Sequence, residues 1–373
     1  MREFIGFTVL AAVIFGLPVR SPAESSAPSG VKPLCVAIVG LVHGHVAGFL
    51  GPALKRSDIQ IVGIAEPDQL LAHRYASEFK LDPQLLYSDV EKMLAKVQPQ
   101  AVLVYTDTRD HRRIVEAAAR HRIPVMMEKP LAVSMEDALA IQRAADGAQI
   151  PVLVNYETTW YPSNAAVYKL VRDGALGDVR KVVVHDGHRG PKEISVPPEF
   201  LAWLTDPARN GAGALFDFGC YGADLMTWLM EGAAPITVTA VTQRFKPEIY
   251  PYVDDEATII LTYPKAQAII QASWNWPFDR KDMEIYGETG EAITVRRNDL
   301  RVRRKGDVQE QQQPAPALTS PYDDPISYLI AVVSGEVKAT GLSALDTNIT
   351  VVRILDAARE SARTGRTIKI TDR

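Results

Sequence analysis

The stretch "IVGLVHGHVAG", residues 38–48, carries the strongest fold signal in the chain. It begins in an apolar run, Leu34–Val39, reaches Gly40, and continues into a segment with helical periodicity. A buried strand that ends in glycine just before a helix is typical of a dinucleotide-binding turn. The full fingerprint has glycine at three positions, but Val42 and His45 occupy the second and third here. The turn therefore predicts a nucleotide site with atypical contacts.

Strand-like runs and helical patterns alternate over residues 33–155. The strands are predicted at Leu34–Val39, Ile59–Ala65, Ala101–Tyr105, Pro124–Met127 and Val152–Asn155. Helices are predicted at His45–Arg56, Asp68–Phe79, Val90–Lys96, Asp110–His121 and Ser134–Asp146. Strands joined by crossover helices form a parallel sheet, with its ligand at the carboxyl ends of the strands. The α/β fold class thus begins with a doubly wound, Rossmann-type dinucleotide-binding domain.

The pattern changes in residues 156–373, where longer, alternating strands are joined by hairpin-like turns. These strands are predicted at Arg180–Asp186, Ile236–Arg244, Glu256–Tyr263, Ala266–Trp274, Met283–Gly287 and Glu291–Arg296. They indicate an α+β domain with an open, mostly antiparallel sheet for substrate binding and oligomerisation. The polar segment 309–321 is predicted to be a loop. The last helix, 343–364, is expected to pack against the first domain.

Composition excludes several classes of protein. The chain has 373 residues, of which 47% are hydrophobic and 23% charged, enough for two globular domains. Its net charge of -4 argues against a nucleic-acid partner. Cys35 and Cys220 lie in apolar surroundings without metal-like spacing, so buried thiols are favoured over a disulfide.

Residues 1–23 have the pattern of an export signal. Arg2 precedes an uncharged, mostly apolar run, and Ser21-Pro22-Ala23 offers small residues for cleavage. The run is shorter than the roughly 20 apolar residues of a spanning helix. We therefore expect an exported, periplasmic protein without membrane contact after signal removal. An uncleaved membrane anchor is the alternative.

Glu66 follows the second predicted strand, in "AEPDQ". An acid at this place accepts hydrogen bonds from the ribose hydroxyls of the cofactor and repels a 2′-phosphate. This favours NAD over NADP. The alternative is an ordinary acidic residue in a turn.

A more specific signal is "MMEKPLAVS", residues 126–134, in which Glu128-Lys129-Pro130 follows a short apolar strand. Together with "TDTRDHRRIVEAAARHRIPV" before it, this stretch resembles the glucose–fructose oxidoreductase/inositol dehydrogenase/MocA family. The resemblance extends through "GAGALFDFGCYGADLMTWL" at 211–229 and "EIYGETGEAI" at 284–293. It implies NAD(P)-linked redox chemistry on sugars or cyclitols.

The resemblance also implies the catalytic residues. Lys129 matches the family's active-site lysine, while Asp217 and Tyr221 match its D-x-x-x-H/Y pair, here with tyrosine in the second place. Glu128 is expected beside the nicotinamide ribose. An ammonium close to a phenol lowers the pKa of the phenol, so we expect Lys129 to activate Tyr221 as an acid/base. A core aromatic is the alternative for Tyr221, and a surface salt bridge is the alternative for Lys129.

Two segments depart from the family pattern. Thr106-Asp107-Thr108 replaces its usual proline and asparagine, although His111 remains, and "NYETTWYP" from Asn155 lacks its frequent arginine. The predicted cofactor contacts are Gly40, Val42, His43, His45, Glu66, Thr106, His111, Glu128 and Lys129. The predicted substrate contacts are Lys129, Tyr156, His188, Asp217 and Tyr221.

Four histidines raise the question of a metal site. His43 and His45 lie in the turn, and His185 and His188 follow in "HDGHRG". Such spacings are common by chance, and no paired carboxylates bring the four together in the sequence. We therefore predict no metal, with the imidazoles of the turn donating to pyrophosphate or capping the helix.

These observations favour an exported NAD-dependent oxidoreductase that acts on a sugar or related polyol. Free NAD is scarce outside the cytoplasm, so such an enzyme needs to retain its cofactor and regenerate it in each cycle. An NAD-dependent glycosidase that oxidises its sugar transiently is the first alternative. A non-catalytic sugar- or nucleotide-binding member is the second. A homo-oligomer is implied by the resemblance alone.

Overall fold

The computed structural model describes residues 32–371, and the predicted export signal lies outside this range. Six parallel strands form the first sheet in the order β3-β2-β1-β4-β5-β6. Their bounds are β1 Leu34–Val39, β2 Ile59–Ala65, β3 Leu86–Tyr87, β4 Ala101–Val104, β5 Val125–Glu128 and β6 Val152–Asn155. This is the doubly wound order of a Rossmann domain. The prediction for the first domain is confirmed, with β3 as an additional short strand.

Five helices connect these strands, at α1 His45–Ala53, α2 Gln69–Phe79, α3 Val90–Val97, α4 His111–Arg120 and α5 Met135–Ala148. Aspartate or serine side chains begin three of them. Asp68 and Asp89 accept from backbone N–H groups of α2 and α3. Ser134 accepts from the backbone of Asp137 and donates to its carboxylate at 2.8 Å. These caps satisfy amide groups that the first turn of a helix leaves unpaired.

The second sheet has nine strands in the order β14-β13-β12-β11-β7-β10-β9-β8-β15. They are β7 Val179–Gly187, β8 Thr237–Gln243, β9 Glu256–Thr262, β10 Gln267–Ser273, β11 Arg280–Gly287, β12 Gly290–Arg296, β13 Asp299–Arg304, β14 Gln311–Pro314 and β15 Ile368–Lys369. The central pair β7–β10 is parallel, and all other pairs are antiparallel. The predicted open, mostly antiparallel sheet is confirmed. The prediction of a continuous loop at 309–321 is wrong, because β14 lies within it.

The helices of the second region, residues 156–373, are α6 Pro162–Arg172, α7 Pro198–Leu204, α8 Pro207–Asn210, α9 Ala214–Asp217, α10 Gly219–Leu229, α11 Pro325–Val333 and α12 Leu345–Thr364. Of these, α6, α9, α10 and α12 pack against the second sheet, whereas Ile326, Leu329 and Val332 of α11 belong to a core cluster of the first domain. Burial alternates along β9, so that Ala257, Ile259 and Leu261 are buried while the opposite face is half-buried. No helix within residues 32–371 combines the length and the apolar character that crossing a bilayer requires.

The last helix, α12, joins the second region to the first. Asp356 accepts from the backbone N–H of Met135 at 2.7 Å, at the start of α5. Arg359 donates to the carbonyl oxygens of Val133 and Gly211, each at 3.1 Å. These contacts lie close to the loop that follows Lys129, so α12 helps to hold the carboxyl edge of the first sheet against the second.

Candidate active site

The glycine turn, which we define as residues 40–45, connects β1 to α1. Gly40 has φ +85°, and a Cβ there would lie 2.6–2.9 Å from three atoms of Thr106. Its N–H donates to the carbonyl oxygen of Ala65 at 2.8 Å. Both the positive φ and the close approach require glycine. The turn is therefore pressed against the ends of β2 and β4, as a dinucleotide-binding turn must be.

Glu66 lies directly beneath this turn. Its side chain, in a residue only 3% exposed, accepts from the backbone N–H of Leu41 at 2.8 Å and of Asp68 at 2.9 Å. Burial raises the pKa of Glu66, although the two backbone donors oppose the shift. The carboxylate ties the end of β2 to the turn. Its contact with a cofactor ribose stays a prediction.

Helix α7, from the second region, covers the other side of the turn. Phe200 lies so close to Gly44 that a Cβ there would meet its ring at 2.7 Å. Trp203 donates its indole N–H to the carbonyl oxygen of Val42 at 3.1 Å. His43 is 1% exposed, with its ring centroid 4.7 Å from that of Phe200. Two of the predicted cofactor contacts, Val42 and His43, thus lie under an aromatic cover.

His45 turns away from this cover toward Glu128 at the end of β5. Its Nδ1 lies 3.0 Å from Glu128 Oε2, and about half of its side chain is exposed. Asn155 Nδ2 is 3.3 Å from the other oxygen of Glu128. Burial would raise the pKa of Glu128, but the neighbouring His45, His43 and Lys129 together lower it to about 2. Glu128 is therefore an ionised, buried carboxylate.

Lys129 follows Glu128 and points toward the second region. Its ammonium donates to Asp217 Oδ1 at 2.6 Å and to the Asp217 carbonyl oxygen at 2.9 Å. The other oxygen of Asp217 accepts from the indole N–H of Trp274 at 2.9 Å. Burial lowers the pKa of Lys129, but Asp217 outweighs it and the net direction is upward. Burial raises the pKa of Asp217, and Lys129 reverses this to a net decrease. Both groups are charged.

Tyr221 completes what we call the Lys129 cluster: Lys129, Asp217, Trp274 and Tyr221. The Tyr221 ring centroid is 5.1 Å from Lys129 Nζ and 4.8 Å from Lys281 Nζ. The expectation that Lys129 lowers the pKa of this phenol is wrong. Burial raises the pKa of Tyr221 well above its usual value, and Glu157 is among the charges that add to the shift. The Tyr221 phenol is therefore neutral.

Three predicted contacts are buried supports. His111 Nδ1 lies 3.1 Å from the carbonyl oxygen of Pro130 and 3.2 Å from that of Leu131, so the ring holds the loop after Lys129. Thr106 donates to the carbonyl oxygen of Asp107 at 2.9 Å and packs under the glycine turn. Tyr156 is fully buried, with its ring edge-on to that of Tyr221 at 5.4 Å. Each lies behind the residues that face the site.

His188 lies at the border of the Lys129 cluster. Its ring is half-buried and meets Phe218 edge-on at a centroid distance of 4.8 Å. Its Nδ1 accepts from the backbone N–H of Gly190 at 2.9 Å. Burial lowers the pKa of His188, which favours the neutral ring. The geometry keeps His188 as a candidate substrate contact.

Lys281, Glu157 and Trp274 were not predicted as site residues. Lys281 pairs with Glu157, which also accepts from the Tyr161 hydroxyl at 2.6 Å. One signal was available: in β11 the side chains of Lys281, Met283 and Ile285 alternate onto one face, and the last two are buried. A lysine on the buried face of a strand is expected to pair with a carboxylate or another hydrogen-bond acceptor. The contact with Glu157 is distant in sequence and left no local pattern.

A cleft of about 560 Å³ opens at the carboxyl ends of β4, β5 and β6. Its wall includes His45, Tyr105, Glu128, Asn155 and Glu157. Ligands of open α/β sheets bind at this edge. The ionised Glu128 therefore faces this cleft, and Lys129 is the next residue along the chain.

Two family models match the chain over more than half of its length. Residues 34–156 match the "Oxidoreductase family, NAD-binding Rossmann fold", and residues 164–293 match the "GFO/IDH/MocA C-terminal domain". The two matches meet where the first sheet ends and the second region begins.

Individual proteins are similar at lower identity. D-apiose dehydrogenase of Rhizobium rhizogenes is 26% identical over 303 residues, which cover 76% of this chain and 83% of that enzyme. The aldose-aldose oxidoreductase of Caulobacter crescentus, solved with glycerol, superposes with a TM-score of 0.76 at 23% identity, covering 91% and 100% of the two chains. An inositol dehydrogenase homologue of Azotobacter vinelandii, solved with NAD+, gives 0.78 at 19% identity, covering 91% and 98%. The two structural likenesses establish the fold.

Proposed function

The chain belongs to the glucose–fructose oxidoreductase/inositol dehydrogenase/MocA family of NAD-binding oxidoreductases, and we propose that it transfers hydride between NAD and a sugar, cyclitol or related polyol. One observation carries the proposal. Lys129, from the end of the first sheet, is bonded to Asp217 of the second region beside Tyr221. The glycine turn fits a dinucleotide, because a Cβ at Gly40 would fill the space against Thr106. The D-apiose dehydrogenase relative supports the choice of substrate class.

The nicotinamide ring supplies or accepts the hydride, and the residues of the chain handle charge and protons. The Lys129 ammonium stabilises negative charge on the substrate oxygen, as an oxyanion-binding group does. Asp217 fixes that ammonium through two hydrogen bonds and is itself fixed by Trp274. Tyr221, neutral at physiological pH, donates a proton to the same oxygen. A charged lysine and a neutral phenol favour reduction of a carbonyl, because both are donors.

The test is a search for redox turnover with NAD+ and NADH. Purified protein is incubated with aldoses, cyclitols and polyols, or with their keto forms, while nicotinamide absorbance is followed. We expect turnover that Lys129→Met reduces by about 10²–10⁴ and that the matched control Lys169→Met keeps, because Lys169 pairs with Asp173 on an exposed helix surface. Release of an aglycone from a glycoside without a net absorbance change would instead indicate the NAD-dependent glycosidase. Dinucleotide binding without turnover in either assay would contradict the proposal.

We propose NAD as the preferred dinucleotide, on the basis of Glu66. A carboxylate at the end of β2 repels the 2′-phosphate of NADP. Glu66→Ala should weaken NAD binding more than NADP binding in a fluorescence titration. Glu66 also accepts hydrogen bonds from the backbone N–H groups of Leu41 and Asp68, and Glu66→Ala removes these together with the charge. We therefore add Glu66→Gln, which keeps the side-chain volume and removes the charge. Unchanged affinity and preference in both variants would remove Glu66 from cofactor selection.

We further propose that the protein is exported and loses residues 1–23. The N-terminal sequence pattern is the support. Mass spectrometry of the natively expressed protein should find a chain that begins near Glu24. A chain that retains Met1 or Arg2 in the cytoplasm would contradict export and remove the need for a retained cofactor.

We also propose a homo-oligomer that uses the half-buried face of the second sheet. Thr258 and Ile260 lie on this face of β9, opposite the helices. Ile260→Asp should shift the mass measured by light scattering toward a monomer. A monomeric wild-type protein would contradict the proposal.

A further inference from the structure

His43, His45 and Glu128 converge in space, although the sequence separates the carboxylate from the two imidazoles. One potential ligand atom from each residue lies within 4.8 Å of those of the other two. His45 Nδ1 and Glu128 Oε2 are 3.0 Å apart, close to the separation of neighbouring ligands around one metal ion. His43 and His45 meet at a ring centroid distance of 4.6 Å. Two imidazoles and one carboxylate thus come together at the start of α1.

We propose that His43, His45 and Glu128 form a binding site for one divalent transition-metal ion of the zinc type. Imidazole nitrogens suit zinc, cobalt and iron, whereas magnesium and calcium prefer sites made of oxygen atoms. A set of two histidines and one carboxylate leaves coordination positions open, as in metal sites that take a further ligand. The proposal does not depend on the proposed redox reaction.

The protonation states of the ligands suit a metal. Metal binding needs neutral imidazole and ionised carboxylate. Burial lowers the pKa of His43 well below its usual value, so its ring is neutral. The Glu128 carboxylate is ionised, as described above. His43 Nδ1 accepts from the backbone N–H of His45 at 3.3 Å, a long hydrogen bond that metal binding by this ring would replace.

The surroundings hold these side chains in place. Asn155 Nδ2 contacts the remaining oxygen of Glu128 at 3.3 Å, in the way that second-layer groups orient a metal-binding carboxylate. Phe200 and Trp203 hold the His43 ring from the other side. His45 and Glu128 line the 560 Å³ cleft, so a further ligand of the metal could reach it from the cleft. The nearby Lys129 is neutralised by Asp217, which reduces its repulsion of a cation.

A second histidine–carboxylate cluster provides the control. His185, Asp282 and Glu284 also lie within 4.8 Å of one another. There, however, Arg280 makes two contacts with Asp282, at 2.5 and 3.0 Å, and lies 3.6 Å from Glu284. The Arg280 guanidinium already balances the negative charge of these carboxylates, as a metal cation would. We therefore expect this second cluster to leave a metal ion unbound.

The experiment titrates the metal-free full chain with Co²⁺, without nucleotide, and follows the visible absorbance of the bound ion. Zn²⁺ uptake is then measured by equilibrium dialysis and elemental analysis. We expect one equivalent of either metal per chain. His45→Asn and Glu128→Gln should each weaken binding by at least about 10–100-fold, the loss known for even second-layer changes. His185→Asn should bind as the wild type does.

Three results would overturn the proposal. They are no Co²⁺ or Zn²⁺ uptake by the wild type, uptake that survives both His45→Asn and Glu128→Gln, and uptake that His185→Asn abolishes. Circular dichroism and melting temperatures establish that the variants are folded. The half-exposed His45 is the safer position, and Glu128→Gln keeps the shape of the buried side chain. NAD binding is measured separately, so a failure of the metal site is distinguishable from a failure of the proposed reaction.

Discussion

The Lys129 cluster and the glycine turn face the same edge of the first sheet, but they are completed in different ways. In the Lys129 cluster, charged groups from both regions pair directly, as Lys129 and Asp217 do at 2.6 Å. In the glycine turn, Val42 and His45 replace the second and third glycines, and Phe200 and Trp203 of α7 cover His43 between them. One site is closed by an ion pair and the other by aromatic packing.

From this difference we expect the two sites to have separate roles, the Lys129 cluster in the chemical step and the glycine turn in holding the cofactor. The Lys129 cluster has the parts of an oxyanion-binding and proton-donating site, and its geometry is fixed by hydrogen bonds. The glycine turn keeps Gly40, which the backbone needs, but a helix from the second region covers His43 and binds the carbonyl oxygen of Val42. We therefore expect mutations in the cluster to change turnover strongly. Mutations of α7 should change mainly the rates at which the cofactor binds and leaves.

The largest effect is expected for Lys129→Met. Loss of the ammonium should reduce turnover by about 10²–10⁴, the range of a positioned acid–base group. It also leaves Asp217 buried without its cation, and removing one partner of a buried pair costs about 3–5 kcal/mol. Steady-state rates and urea unfolding measure the two effects.

A double-mutant cycle with Asp217→Asn tests whether the pair acts as a unit. Because each single variant leaves an unpaired group, the double variant should lose less stability than the sum of the two. Lys169→Met is the control for the loss of a lysine. Additive losses of stability would show that the ion pair does not couple the two regions.

The sequence predicted those parts that depend on local pattern. The bounds of β1 and β2 are confirmed. In β1 a continuous apolar run marks a strand buried on both faces, and in β2 the buried residues are Ile59 and 63–65. Gly40 is confirmed as a glycine-requiring turn by its φ of +85°. Lys129, Asp217 and Tyr221 were placed by motif, and the structure brings them together. Their catalytic roles stay predictions.

The parts that were missed depend on contacts between distant residues. β14 carries three glutamines and is the exposed edge strand of the sheet, and the neighbouring β13 has only Leu300 and Val302 as buried apolar residues among its arginines. The cover over His43 comes from α7, far along the chain. Glu128 was expected beside the nicotinamide ribose, and nothing in the local sequence indicated that it meets His45. The sequence prediction of no metal depended on the four histidines alone.

The second prediction concerns Tyr221→Phe, which keeps the ring and removes the proton donor. Turnover should fall by about 10², while NAD binding and melting temperature change little. Combined with Lys129→Met, the loss should be smaller than the product of the two, because residues that act as a unit are non-additive. Wild-type turnover in Tyr221→Phe would remove the phenol from the mechanism.

The raised pKa of Tyr221 adds a pH prediction. A proton donor is present below its pKa, and an unperturbed tyrosine has a pKa near 10. Carbonyl reduction should therefore keep its rate as the pH rises from 7 to about 10, as far as this proton is concerned. A fall centred near neutral pH that Tyr221→Phe removes would show a lowered pKa and restore the sequence-based expectation.

The third prediction concerns Asp224, a buried carboxyl group one helical turn after Tyr221 of the Lys129 cluster. Asp224 in α10 is fully buried, and neither of its oxygens has a partner within residues 32–371. Burial raises its pKa well above the usual value. The folded protein thus retains a proton that the unfolded chain releases above about pH 4. The free energy of unfolding therefore falls as the pH rises from about 4 toward the raised pKa of Asp224.

Asp224→Asn removes the titration and should stabilise the protein relative to the wild type, by more at pH 7.5 than at pH 4.5. Asp217→Asn should instead destabilise the protein by nearly the same amount at both pH values, because the pKa of Asp217 is lowered. Its contribution is present above the unfolded pKa of about 4 and is lost as the pH falls through the folded pKa. Urea unfolding at the two pH values measures both. Equal trends for the two variants would mean that Asp224 has a charged partner.

The smallest effect is expected for Glu199→Gln, which weakens the contact of α7 with Arg74 of α2. An ion pair with one exposed partner contributes about 0.2–1 kcal/mol, or up to about fivefold in a rate. If a dinucleotide enters beneath α7, the helix must separate from the turn for binding and for release. Both rates should then rise by a similar factor and leave Kd almost unchanged, as stopped-flow fluorescence measures.

Glu288→Gln is the matched control, because it breaks a comparable exposed pair with Arg180 on the second sheet. A change in Kd through the dissociation rate alone would mean that Glu199 stabilises the bound cofactor, and unchanged rates would mean that α7 does not control access to the glycine turn.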